Sequence, residues 1–256
     1  MRLFTLFLGC LSLLPFAAVA AGPPAPSFTL VTPPPIGSHI DSLPRIANPT
    51  TQAELRINRA LAHEDGQDRA SQANCPVQAG EGGWRRNVQV VMRGAGYLSV
   101  VVDDSWDCSN SLPDGMWFGL AYDLRTGSPL NWARLLPKSL VQSTNLDEAD
   151  DTTPLGTVGS PALTALYLKL ETADHDIDPS CGQALQQASD LQFLIWPDAQ
   201  ADGVAVLPDG LPQAIQACAN QETIPLATLR QIGANPRLVD AIATAHQAGE
   251  FDKRQN

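Results

Sequence analysis

The chain has 256 residues, 44% of them hydrophobic, and a formal net charge of −11. That is enough apolar material for a sizeable core and the wrong sign for a broad phosphate-binding face, so nucleic acid is excluded as an expected partner. The Arg85-Arg86 pair reads as a solvated strand entry, and the overall acidity as what keeps an exported protein soluble.

Chain order begins with a targeting segment. Arg2 supplies a short positive region, Leu3 to Phe16 form an apolar run, and Ala18-Val19-Ala20 fits the Ala-x-Ala pattern cut by signal peptidase. Residues 1–20 are therefore read as a secretory signal peptide cleaved before Ala21, which predicts a periplasmic or secreted protein. The run is shorter than the ~20 apolar residues of a spanning helix, so no membrane span is expected after cleavage. A lipoprotein reading at Cys10 fails because too little apolar chain precedes it.

Cleavage leaves Cys75, Cys108, Cys181 and Cys218, an even number in a compartment where disulfides persist. Four cysteines allow three pairings. Cys75 with Cys108 and Cys181 with Cys218 is the favoured one, because each bridge then closes within one half of the chain. No two cysteines stand at Cys-x-x-Cys spacing, so a structural metal is not expected.

Residues 21–49 are rich in proline and read as an extended segment, with room for one short edge strand at Phe28-Thr29-Leu30-Val31. The main folded unit is placed at 50–250, followed by a polar tail at 251–256. Thr51-Gln52-Ala53-Glu54 has the form of a capping box and opens a helix, with Leu55, Ala60 and Leu61 as its apolar stripe and Arg56, Arg59, Glu64 and Asp65 on its polar face. Strands are predicted at Asn87 to Met92 and Tyr97 to Val102, joined by Arg93-Gly94-Ala95-Gly96, and at Trp117 to Leu124, ended by Arg125-Thr126-Gly127. Leu130, Trp132, Leu135 and Leu136 read as an apolar segment packing back on that sheet. Residues 142–160 are polar, and the acidic run from Asn145 to Thr153 reads as a solvated loop.

Leu163, Leu166, Tyr167 and Leu170 recur at helical spacing and predict a helix from Pro161 to Ala173. A loop holding Cys181 follows, then strands at Leu191 to Trp196 and Val204 to Leu207. Two helices, Pro225 to Ile232 and Pro236 to Gln247, close the chain, each with a proline near its first turn. The pattern as a whole predicts an α+β fold, mainly antiparallel sheet packed by a few helices, with two disulfides.

The order of several motifs resembles a known family. Leu43-Pro44-Arg45-Ile46 precedes a helix with Ile57-Asn58. Leu98-Ser99-Val100-Val101-Val102 follows, and then Ala121-Tyr122-Asp123-Leu124-Arg125-Thr126-Gly127 before Leu130-Asn131-Trp132. This arrangement is similar to the exported domain of unknown function found in lysozyme-sensing anti-sigma factors and as an accessory part of peptidoglycan deacetylases. The resemblance covers about residues 40–235. It implies an α+β fold and binding at the envelope, not catalysis. The segment Ser105 to Gly115 departs from the family's Gly- and His-containing loop between the central strands.

Chemistry-bearing residues are sparse. No Gly-x-Ser-x-Gly elbow is present, and His39 and His63 fall in regions read as loop and exposed helix. Asp174-His175-Asp176-Ile177-Asp178 has metal-ligating side chains, but contiguous residues point in different directions and such a run usually makes a solvated turn. Asp103, Asp104 and Asp107 flank Trp106, a combination of acids and aromatic platform that glycan sites use. Trp106, Asp104 and Asp107 are accordingly the candidate ligand-binding residues, with no catalytic residue, metal or cofactor assigned. The remaining tryptophans read as packing residues. The function expected is a monomeric, non-catalytic envelope protein that binds another protein or a cell-wall glycan. The alternative is an envelope hydrolase acting on glycan or peptide through Asp103 to Asp107 or His175.

Overall fold

The computed structural model describes residues 28–75, 83–108, 114–145, 157–174, 179–188 and 191–252. The segment read as a signal peptide, the acidic run after Asn145, and His175 lie outside the described residues. Prolines hold the first strands to two residues each: β1 (Leu30–Val31) pairs antiparallel with β2 (Arg45–Ile46). The core already starts in this segment, where Ile40, Leu43 and Ile46 are buried.

The helix α1 (Gln52–Ala73) begins as its sequence requires, with Thr51 accepting from the Glu54 N–H while Glu54 accepts from the Thr51 N–H. Its inward stripe differs from the predicted one. Ala53, Ile57, Ala60 and Leu61 are buried together with Glu64 and Asp65, whereas Leu55 is 39% exposed. Leu55 sits two residues before Ile57, about 200° round the helix, so both cannot face the core. Asn58 clamps the helix to β2, donating to the Ile46 carbonyl at 2.9 Å and accepting from its N–H at 2.8 Å.

The next three strands, β3 (Gly83–Gly94), β4 (Tyr97–Asp107) and β5 (Asp114–Asp123), form an antiparallel sheet in that order. They are longer than the β-branched cores that announce them. A bulge between Val90 and Met92 interrupts the first pairing. After β5 the Asp123 to Gly127 turn closes with a Gly127 N–H to Asp123 carbonyl bond of 2.7 Å. Gly127 has φ of 71°, and a Cβ there would overlap the Ala53 backbone of α1. The short helix α2 (Trp132–Leu135) then buries Trp132 on the core, as its apolar segment suggests.

A second antiparallel sheet collects the later strands β6 (Ser143–Asn145), β7 (Thr157–Gly159), β8 (Gln192–Asp198), β9 (Gly203–Asp209) and β10 (Glu222–Pro225), in the order β10-β9-β8-β7-β6. The helices between and after them are α3 (Pro161–Asp174), α4 (Pro179–Gln187), the short α5 (Gln213–Gln216), α6 (Leu226–Ile232) and α7 (Pro236–Ala248). Cys181 therefore lies in a helix, not in the loop predicted for it; α4 is short and its apolar residues too few to show helical spacing. The α+β class holds, and the two sheets meet where Gly119 of β5 lies against Trp196 of β8, so closely that a Cβ at Gly119 would overlap the indole.

Both bridges take the favoured pairing. Cys75 after α1 is joined to Cys108 after β4, and Cys181 to Cys218, with Cα separations of 5.1 and 5.2 Å. They close loops of 33 and 37 positions. On the chain-entropy model each stabilises the fold by about 3 to 4 kcal/mol. Replacing either pair by serines is expected to lower the urea midpoint by a corresponding amount, and denatured but unreduced protein to show no free thiol among these four cysteines in a thiol titration.

Candidate functional site

The pleat of β4 divides its residues between two surfaces. Asp104 and Trp106 share one face with their neighbours Arg86 and Trp84 on β3, and Asp103 shares the other with Trp117 on β5.

On the first face the centre is Arg86, 1% exposed. Its Nε and Nη2 donate to the two oxygens of Asp104 at 2.9 and 3.2 Å, Nη1 approaches Asp65 Oδ1 at 3.5 Å, and Nη2 also meets Asp68. Asp65 is shared: it accepts from the Leu43 N–H at 3.0 Å and pairs with Arg45 at 2.6 Å. The Arg86 main chain bonds the proline-rich segment as well, donating to the His39 carbonyl at 3.0 Å and accepting from the Asp41 N–H at 3.2 Å. Arg85 is exposed, as a solvated strand entry should be, but Arg86 is not. The alternation that sends Arg85 outward must send its neighbour inward, and the cation survives there because α1 and β4 bring it carboxylates.

Three carboxylates surround two guanidinium groups in this network. Burial pushes the Asp104 carboxyl above its ordinary range, against the opposing pull of Arg86 and of the Trp84 Nε1–H donated to it at 3.4 Å. Trp84 in turn stacks on Trp106 with ring centroids 5.1 Å apart. Asp104 and Trp106 are thus turned toward this packing, Asp104 as counter-ion to Arg86. Deeper along α1, Glu64 is 6% exposed and is held above the usual carboxylate range mainly by desolvation. The buried Tyr122 hydroxyl is likewise pushed up, first by burial and then by the Glu64 charge.

The second face opens beyond Gly119, toward the start of β5. A cleft of about 500 Å³ lies between the open end of the β4–β5 pair and the end of β9, with Asp103, Trp117, Leu194, Leu207 and Asp209 among its walls. Trp106 and Asp104 border it, and Asp107 is not among its lining residues. Trp117 is 44% exposed and Met116 41% exposed. Trp132 and Trp196 are buried packing residues, so Trp117 is the aromatic that departs from the packing role read for it. The sequence conceals this because Met116-Trp117-Phe118 is apolar on both faces of the pleat.

The acids of this region do not form a hydrolytic pair within β4. Asp103 and Asp104 point to opposite faces, and Asp103 and Asp107, four positions apart on one face, are separated by roughly 13 Å. Glycosidase carboxylates stand about 5 to 9.5 Å apart. Among the described residues no group of three or more His, Cys, Asp and Glu side chains is placed to hold a metal. Nor is any helix among them long and apolar enough to cross a membrane.

Two predictions follow from the buried charges. Arg86→Ala leaves the three carboxylates with the Arg45 guanidinium alone in this network, and a loss of about 3 to 5 kcal/mol is expected in urea unfolding. For Glu64 the folded-state pKa is raised, so its contribution to stability is full at low pH and is lost as pH rises through that pKa. Glu64→Gln is therefore expected to raise the unfolding midpoint at pH 7 to 8, and to bring it closer to wild type at pH 4.

No protein-family model matches the sequence, and no curated protein matches it. Among solved structures, the chain is similar to a member of the DUF3298 family from Bacteroides fragilis, with 12% identity over 85% of this chain and 96% of that one and a TM-score of 0.49. A likeness at that level carries no argument about fold or function.

Proposed function

We propose that the protein is an exported, non-catalytic binding module of the bacterial envelope, which captures another macromolecule, a protein or a cell-wall glycan, in the cleft beside Trp117. The observation that carries this reading is Trp117 itself, a large indole left 44% exposed on a concave surface next to the carboxylate of Asp103. Exposed aromatics of this kind supply much of the binding energy at recognition surfaces when a partner covers them. The two disulfides and the Ala18-Val19-Ala20 signal pattern support export.

Against hydrolysis stand the residues that line the cleft. Among the described residues they include the hydroxyl of Ser105 but no histidine to activate it, and the buried acid there, Asp104, is taken up by Arg86. Binding needs none of this machinery.

The test is affinity capture with oxidised residues 21–256 immobilised and exposed to envelope extract and purified peptidoglycan fragments, with free protein as competitor. Trp117→Ala and Asp103→Lys are each expected to reduce competed capture at least tenfold, while their unfolding midpoints stay within the range of surface substitutions, about 0.5 kcal/mol. Capture that both variants retain, or that does not exceed capture by reduced protein, would sink the proposal.

A further inference from the structure

Resting on the cleft reading above, we infer that the partner is a protein, and that it docks as an added β-strand along the free edge of β5 with a Lys or Arg side chain entering the cleft beside Trp117. β5 is the last strand of its sheet, so one row of its backbone groups faces away from β4. Near its end that row is already covered: the Asp123 N–H donates to the Ser128 carbonyl at 3.0 Å, and the Leu130 N–H to the Ala121 carbonyl at 3.1 Å. Residues 128–130 thus behave as a short added strand, bridged antiparallel to β5 through Tyr122 and Pro129.

Backbone groups alternate in direction along a paired strand. If Ala121 and Asp123 face outward, so do Gly119, Trp117 and Gly115. Among the described residues, Trp117 and Gly119 have no backbone partner on that side. The Gly115 N–H is turned to its neighbour, the Asp114 carboxylate, at 2.8 Å. The covered half of the edge therefore continues into an uncovered half that an extended segment can extend by main-chain hydrogen bonds, while alternate side chains give specificity. A glycan backbone has no alternating main-chain N–H and C=O groups to match such an edge, its amides being pendant N-acetyl groups, which favours a protein.

The pleat then names the side chain. A residue paired with Trp117 lies on the same face as Trp117 and its other neighbour, Asp103, and points into the cleft. Among the described residues that line the cleft, the ionisable ones are acids, Asp103, Asp104, Asp114 and Asp209, with no Lys, Arg or His. Asp104 is matched by Arg86, and the others leave a negative site with an indole in its wall, suited to a guanidinium or ammonium group by charge and by the ring face. A second copy of this chain would bring another acidic edge against the first and is disfavoured for that reason.

The test uses oxidised residues 21–256 to select from a displayed library of random nine-residue peptides. Enriched peptides are expected to carry Lys or Arg. Methylating the backbone nitrogens of the best peptide one at a time should weaken binding at least tenfold at alternate positions and little at those between. Trp117→Pro, which removes an outward N–H without touching the bonds to β4, should bind at least tenfold more weakly than Trp117→Ala. The N-methyl series keeps the test decisive even if Trp117→Pro does not fold. Enrichment of neutral or acidic peptides, no enrichment over an unrelated immobilised protein, or losses without the two-residue alternation would overturn the inference. Any of these alongside Trp117-dependent envelope capture would remove strand addition and leave the binding module standing; failure of that capture too would remove both.

Discussion

A guanidinium removed from water has to be met by anions before the core around it can close. Arg86 imposes that condition, and the elements of the first half of the chain are arranged to satisfy it. Asp104 comes from the adjacent strand, Asp65 and Asp68 from α1, and Asp65 is fixed by the Leu43 N–H and Arg45 of the proline-rich segment. Three separate stretches of sequence are joined at one cation. Breaking such a network is costly because it strands charges in low dielectric, even where an apolar replacement of the whole group would be tolerated. The network therefore acts less as a source of net stability than as a condition on how α1 may lie across the sheet.

The opposite face of the same sheet obeys a constraint of shape. Gly119 lets the Trp196 indole of β8 approach the β5 backbone, and this contact fixes how near the two sheets come. The cleft lies at the end of the β4–β5 pair beyond Gly119, with the ends of β8 and β9 across from it. Trp117, two residues along on the same face, is left with one side against that space.

Sequence pattern reveals the parts of this structure that depend on periodicity or on single-residue chemistry. The Thr51 to Glu54 cap, the β-branched runs of β3 and β4, the Gly127 turn and the division of the cysteines into two halves are all of this kind. What escapes is whatever depends on a distant partner. Glu64 and Asp65 look like surface residues because nothing local says that a cation waits opposite Asp65. Arg86 looks solvated for the same reason. Trp106 and Trp117 are indistinguishable as letters, yet they lie on opposite faces of the pleat, where Trp106 meets the Trp84 indole across the strand pair and Trp117 meets the cleft. Leu55 is a milder case, a residue with the right chemistry at the wrong angle round the helix.

The pleat also explains how a buried charge network and the proposed binding surface can adjoin without interfering. Asp103 and Asp104 are neighbours in sequence and opposites in space, one exposed beside Trp117 and the other 2% exposed on Arg86. A ligand charge placed near Asp103 is separated from Arg86 by the sheet itself. The Asp104 carboxylate, already paired, has little to gain from that ligand charge. Substitutions at position 104 should thus act on whether the first sheet and α1 assemble, and substitutions at position 103 on what the assembled protein holds. On the proposed binding reading, two adjacent aspartates divide folding from recognition because a strand turns alternate side chains to opposite faces.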